Sequence, residues 1–330
     1  MRGARILGMG HHVPERVVTN DDLSQWLTTS DEWIEQRTGI KERRWVEGDV
    51  GATDLAEPAA RQALAEAGVD PRDVDLILFA TLSPDLCFPG SSCLLQHRLG
   101  NNGKAAMDIR NQCTGFVYGL ATADAYVRAG LADTVLVVGS EVHSTGLELA
   151  DRGRDVTVIF GDGAGAAVVG VSDDEHRILD SVLRADGAHA EILMTEAPAS
   201  RVNPRLTAQM LEDGLHFPHM EGRKVFKLAV ELLPKVILEL LDRNGLSLSD
   251  VDLLVPHQAN LRINQMVARR LELREDQVFN NIQRYGNTTA ASIPIALHEA
   301  CQAGRVKSGD LVVLAALGAG MTWGANLIRW

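Results

Sequence analysis

The feature that most limits how this 330-residue chain can fold is an internal echo between its two halves. In ALAEAGVDPRDVDLILFAT, which begins at Ala63, Gly68 and Asp75 lie seven positions apart. In LLDRNGLSLSDVDLLVPHQ, which begins at Leu240, Gly245 and Asp252 have the same separation. Each stretch reads as a helix end, a glycine stop, a turn and a buried strand. A second echo has Gly130 seventeen residues after Cys113 and Gly304 seventeen after Asn287. Each of these spans holds a turn, a helix ending in Ala-Gly and a β-branched run suited to a buried strand. One match is common among α/β proteins, which reuse strand-turn-helix units; two matches with equal offsets favour duplication. The expected architecture is α/β, with halves 1–174 and 175–330 forming one compact unit. Mixed five-stranded sheets would sandwich buried helices, among them the apolar stretch 115–127. A pseudo-twofold relating the halves would set Cys113 and Asn287 at equivalent helix N-termini, with His257 at the strand end before Asn287.

Composition narrows the function. Hydrophobic residues make up 45% and charged residues 23%, enough for one large core or two packed together. The first residues meet Gly8, Gly10 and Pro14 before any apolar run long enough for a signal peptide or membrane span, so a cytoplasmic location without membrane contact is expected. Four cysteines without C-x-x-C spacing disfavour a disulfide framework and a zinc knuckle. A net charge of −12 argues against nucleic acid but leaves room for a local basic patch.

Cys113 stands in Arg-Asn-Gln-Cys-Thr-Gly, where a helix start would favour thiolate and Gly115 would let a ligand approach the backbone. Cys87, Cys93 and Cys301 read as ordinary packed cysteines. His257 follows the apolar run 251–255 and Pro256, just past a strand end, where open α/β sheets place their sites. A structural histidine fits that position equally well. Asn287, in Tyr-Gly-Asn-Thr-Thr, reads first as a helix cap, a role compatible with catalysis. The glycine run 161–165 lacks a phosphate-loop pattern and reads as a tight turn between strands. The pairs His11-His12 and His216/His219 lack the companions of a metal site, so no metal is expected.

These residues sit in motifs that resemble the β-ketoacyl-acyl-carrier-protein synthases III of the thiolase superfamily. The similarity runs through TNDDL at 19–23, TSDEWIEQRTGI at 29–40, CTGF at 113–116, FGDGAGA at 160–166, VPHQANLR at 255–262, YGNTTAAS at 285–292 and TWG at 322–324. The resemblance implies a thiolase-like fold and a homodimer. It also implies a two-stage reaction with CoA thioesters as substrates and neither a metal nor a redox cofactor. Cys113 would take an acyl group from acyl-CoA, the oxyanion resting on backbone N–H groups of Cys113 and Ala319. His257 and Asn287 would then stabilise the enolate formed when malonyl-acyl-carrier protein, or malonyl-CoA, loses carbon dioxide. Trp33, Arg37, Arg152, Ala259, Asn260 and Arg262 would bind CoA, with Trp33 and Arg152 sandwiching its adenine. Lys227, Arg262, Arg269 and Arg270 would receive the acidic carrier protein, and Phe88 would close the acyl pocket across the dimer.

The chain departs from the pattern at several points. Asn111 and Gln112 precede the nucleophile, implying a more polar or narrower pocket. Leu317, Ala319 and Met321 replace residues of a Phe-Gly-Gly-Gly-Phe run, and a methyl at Ala319 is expected to restrict the oxyanion loop. Arg223 stands where asparagine is usual, and residues 199–218 form a long stretch beside the tunnel mouth. Alternatives left open are acyl transfer to an alcohol or amine and a non-catalytic subunit that holds a carrier protein.

Overall fold

A computed structural model describes residues 2–330. The first sheet has five strands in the order Gly3–His12, Gly163–Ser172, Thr134–Glu141, Leu76–Ala80 and Ala105–Ile109. The second runs Arg177–Ala185, Thr322–Arg329, Leu311–Gly318 and Leu253–Pro256. The first two pairings in each sheet are antiparallel and the later ones parallel, so the halves share order and direction. The expected fifth strand of the second sheet is absent among the described residues. Its place holds a single parallel bridge from Leu254 to Val278, after which the chain turns away toward the site.

Strand alternation sorts the side chains into layers. Ile77, Phe79, Leu136 and Val138 face an outer layer made by helices Ala52–Ala67 and Ser91–Leu99. Their neighbours Leu76, Leu78, Val135 and Val137 face inward. In the second sheet Leu253, Val255, Val312 and Leu314 face the same interior, while Leu254, Val313 and Ala315 face helices Gly222–Arg243 and Leu261–Arg270. Between the sheets lie two central helices, Gly115–Arg128 and Ser292–Gln302. Covered by a sheet on each side, they carry buried apolar residues along much of their length: Phe116, Val117, Leu120 and Ala123 in one, Ile293, Ala296, Leu297 and Ala300 in the other. The result is five layers, helix, sheet, helix, sheet, helix. No helix among the described residues is long and apolar enough to cross a membrane.

The duplication has a register that differs from the expected one. Gly68 pairs with Gly245, the 3-10 turn Pro71–Asp73 with Leu248–Asp250, and strand Thr134–Glu141 with Leu311–Gly318, always 177 residues apart. The 3-10 turns ahead of the central helices, Gln112–Thr114 and Thr289–Ala291, obey the same offset. Each contains a non-glycine residue in the left-handed region, Gln112 at φ 42° and Thr289 at φ 50°. Cys113 therefore corresponds to Ala290 rather than to Asn287. The equal seventeen-residue spacings mislead because the second central helix is three residues shorter, 11 against 14.

Candidate active site

The site is assembled where the starts of both central helices meet the ends of the parallel strands. Cys113 is buried in the 3-10 turn that runs into helix Gly115–Arg128. Gly115 lies so close to Ala80 and Ala290 that an added Cβ would sit 2.7 and 3.3 Å from theirs. The same holds at Gly318, where a Cβ would come within 2.7 Å of that of Cys113. The amides of Cys113 and Ala319 both point at the sulfur and favour thiolate, yet burial and the nearby Glu141 prevail and push the thiol up to about 12. A resting thiol thus replaces the thiolate expected from a helix start.

The structure also corrects the expectation for Ala319. Its φ is not in the left-handed region; that conformation belongs to Gly320, at φ 133°. The positions that need glycine in this loop are Gly318, for space, and Gly320, for backbone angle.

His257 emerges from strand Leu253–Pro256, its backbone N–H donating to Ala315 at 2.8 Å. Its Nδ1 lies 2.6 Å from Ser292 Oγ, at the first residue of the second central helix. The Gln258 N–H donates to that same oxygen at 3.3 Å, leaving the hydroxyl proton for Nδ1. Ser292 therefore favours the tautomer protonated at Nε2, a nitrogen that is buried and has no partner among the described residues. Burial pulls the imidazole down to about 3, so it is neutral. Asn287 is held from both sides by backbone: its N–H donates to Ile159 and its carbonyl accepts from Gly161. The Oδ1 accepts from the Thr289 N–H at 2.8 Å, so the amide NH2 is the end left for a ligand. Thr289, strained in φ, is pinned in turn by His143, whose Nε2 lies 2.5 Å from its hydroxyl.

Glu141 closes the other side. Its buried carboxylate accepts from Thr81 Oγ1, Ser83 Oγ and the N–H groups of Leu82 and Ser83, and burial raises it to about 7. Sequence reading missed Glu141, His143, Thr289 and Ser292, although the last two lie inside the quoted YGNTTAAS stretch. The glycine run 161–165 is no simple turn: Gly163 already begins a strand, and Gly165 lets Pro294 of the second central helix approach.

At the entrance, Asn260 donates through Nδ2 to the Arg37 carbonyl at 3.0 Å, bringing Trp33, Arg37, Ala259, Asn260 and Arg262 into one neighbourhood. Arg152 lies elsewhere, bound to Glu148 at 2.6 Å and to the Glu212 carbonyl at 3.2 Å, with its guanidinium against Gly214. The ring of Trp33 is covered instead by the guanidinium carbons of Arg37, at 4.4 Å, and Arg154, at 4.7 Å. Of the basic set, Lys227, Arg262 and Arg269 are exposed with no carboxylate partner among the described residues. Arg270 donates to the Val230 carbonyl at 2.6 Å and ties two helices together. Arg223 is exposed at the start of helix Gly222–Arg243. Phe88 is 86% exposed. Among the described residues no group of three His, Cys, Asp or Glu is arranged to hold a metal.

A duplicated five-layered α/β fold with a buried cysteine, a neutral histidine and an oriented asparagine at one cleft defines a thiolase-like condensing acyltransferase. Residues 107–187 and 241–330 match the family models for 3-oxoacyl-[acyl-carrier-protein] synthase III and its C-terminal part. The β-ketoacyl-[acyl-carrier-protein] synthase III of Caldanaerobacter subterraneus is 45% identical over 99% of this chain and 98% of its own. The solved 3-oxoacyl-[acyl-carrier-protein] synthase III of Aquifex aeolicus superposes with a TM-score of 0.92 at 44% identity, covering 99% of this chain and 100% of its own. The priming β-ketosynthase of the R1128 polyketide pathway gives 0.89 at 35% identity, covering 98% and 96%. The chain belongs to the 3-oxoacyl-[acyl-carrier-protein] synthase III family.

Proposed function

We propose that the enzyme loads an acyl group from acyl-CoA onto Cys113 and condenses it with a malonyl thioester carried by acyl carrier protein. The observation that carries this reading is the pair of uncommitted donors, His257 Nε2 and the Asn287 amide, together with a buried thiol whose turn packs against the turn that follows Asn287. In the first stage the Cys113 sulfur attacks the thioester carbon, and the charge moves to an oxygen received by the amides of Cys113 and Ala319. The thiol proton leaves with the departing CoA thiol. The malonyl carbonyl then accepts hydrogen bonds from His257 and Asn287, which stabilise the enolate as carbon dioxide departs. That carbon attacks the acyl-Cys113 carbonyl, releasing 3-oxoacyl-carrier protein and returning a thiolate that takes a proton from solvent. A neutral His257 suits this role, since it donates without having to surrender a charge.

Lys227, Arg262 and Arg269 are the proposed docking surface for the acidic carrier protein. A homodimer is proposed on the unpaired edge of strand Ala105–Ile109 and the projecting Phe88, which would close the partner's acyl pocket. The cytoplasm is the proposed location. The test is intact-protein mass spectrometry after exposure to acyl-CoAs, then addition of malonyl-carrier protein with carbon dioxide detection. An acyl adduct discharged with carbon dioxide is the expected result; an adduct that only an alcohol or amine discharges would overturn condensation.

A further inference from the structure

Arg43, in the short strand Glu42–Arg44, is the largest side chain sealed completely inside the protein, and among the described residues no carboxylate is in ion-pair contact with it. Its terminal nitrogens donate to neutral acceptors only, Nη1 to the Val18 carbonyl at 3.2 Å and to Asn20 Oδ1 at 2.8 Å, Nη2 to the Val158 carbonyl at 2.8 Å. The Nε is buried with no acceptor. Burial pulls the guanidinium down to about 10, which still leaves it charged at neutral pH. A cation kept in the core in this way is less favourable than an apolar residue of similar volume, so stability does not account for it.

What it holds does. The carbonyls of Val158 and Phe160 are taken by Arg43 and by the indole N–H of Trp45, at 2.8 and 3.1 Å. The carbonyl between them, that of Ile159, accepts from the Asn287 N–H at 2.9 Å, and the Gly161 N–H donates to the Asn287 carbonyl at 3.1 Å. Segment 158–161 is thus gripped on one side by Arg43 and Trp45 and grips Asn287 with the other. The stem of Arg43 closes the same joint: its Cβ would stand 3.1 Å from a Cβ added at Gly161 and 3.4 Å from one at Gly286, the residue before Asn287. With the Asn287 backbone fixed in this way, the Thr289 N–H on Oδ1 settles where the amide donor points.

We infer that Arg43, with Trp45, is a positioning residue for Asn287, acting on condensation and leaving the loading of Cys113 alone. This rests on the proposed role of Asn287 as a donor to the enolate oxygen. Arg43 itself touches no substrate. The amide it places makes a bond that strengthens only as carbon dioxide leaves, so a small displacement is felt in that step. Loading depends on the amides of Cys113 and Ala319, which belong to other segments.

The experiment reads the two stages separately in Arg43→Lys and Trp45→Phe, each alone and combined with Asn287→Ala. Acylation of Cys113 by acyl-CoA is followed by intact mass, and condensation by carbon dioxide release when malonyl-carrier protein meets the acylated enzyme. Lysine keeps the charge without the fork, and phenylalanine keeps a ring without the N–H. Condensation is expected to slow about tenfold in Arg43→Lys and about threefold in Trp45→Phe, the size of one hydrogen bond or part of one, with acylation within about twofold of wild type. In the Asn287→Ala background neither substitution should slow condensation further, because the group they position is gone. A merely structural role would slow both stages together and add its full loss in that background, and either pattern overturns the inference while leaving the function intact. Should Arg43→Lys fail to fold, Trp45→Phe carries the same test. A wild type that releases no carbon dioxide after acylation overturns the function and this inference with it.

Discussion

The two halves offer nearly the same backbone and use it for opposite purposes. At the end of the parallel strand the first half has Ala80 where the second has His257, and in the next strand the first has Glu141 where the second has Gly318. Cys113 in the first half faces Ala290 as its counterpart. The bulky member of each pair always meets a small one, because both copies open into the same cleft and only one side chain fits. What stayed common is the geometry that aims residues inward: left-handed Gln112 and Thr289, each ahead of a central helix. Such strain costs roughly 1–3 kcal/mol per residue and persists only where neighbours hold it, as His143 holds Thr289.

The division can be broken at its extreme by Cys113→Ala, which should remove the acyl adduct and lower turnover by at least about 10⁴-fold, read by mass spectrometry and carbon dioxide release. Gly318→Ala tests whether small must face large. Its methyl would meet the Cys113 Cβ at 2.7 Å, and acylation should fall on the order of 10²-fold as the sulfur is displaced. His257→Ala and Asn287→Ala should keep the adduct but slow condensation roughly 10²-fold each, since each removes one donor to the enolate. Equal loss of both stages with folding intact would contradict the assignment of these residues to the second half's task. Ser292→Ala sharpens the point: freed of its tautomer bias, His257 should condense about tenfold more slowly, with acylation unchanged and Ser292→Thr restoring part of the rate.

The gentlest test concerns Glu141. Its folded pKa of about 7 lies above the ordinary carboxylate value, so the folded state holds the proton more tightly. The stability this gives is complete below about pH 4 and is lost as pH rises through 7. Between pH 5 and 8 wild type should therefore lose several degrees of melting temperature that Glu141→Gln does not. Parallel melting curves would sink the idea.

The fold was legible because glycine stops and apolar runs repeat, and those signals are local. The 177-residue register emerges from Gly68/Gly245 and Asp75/Asp252, whereas the Cys113/Asn287 spacing measures helix length as well as position. The fifth strand of the second sheet shrinks to a single bridge where only Val278 and Phe279 are apolar between Gln277 and Asn280, too short a run to hold a strand. At the site, Cys113, His257 and Asn287 stand out through their motifs. The partners that set their protonation, Glu141 and Ser292, are ordinary residues whose meaning comes from contacts across 28 and 35 positions. Around Trp33 the same limit holds: Arg152 and Arg154 are two positions apart, and only their acceptors decide which one covers the ring.

A thiol pushed to about 12 has a further consequence for how the protein ages. Oxidants and alkylating agents attack thiolates, and at neutral pH almost none exists at Cys113. Peroxide should spend itself first on the exposed Cys87 and Cys93, leaving the nucleophile chemically silent until a bound thioester offers somewhere for its charge to go. The residue most essential to turnover is thereby shielded between turnovers, as is Cys301, which burial likewise pushes up to about 12.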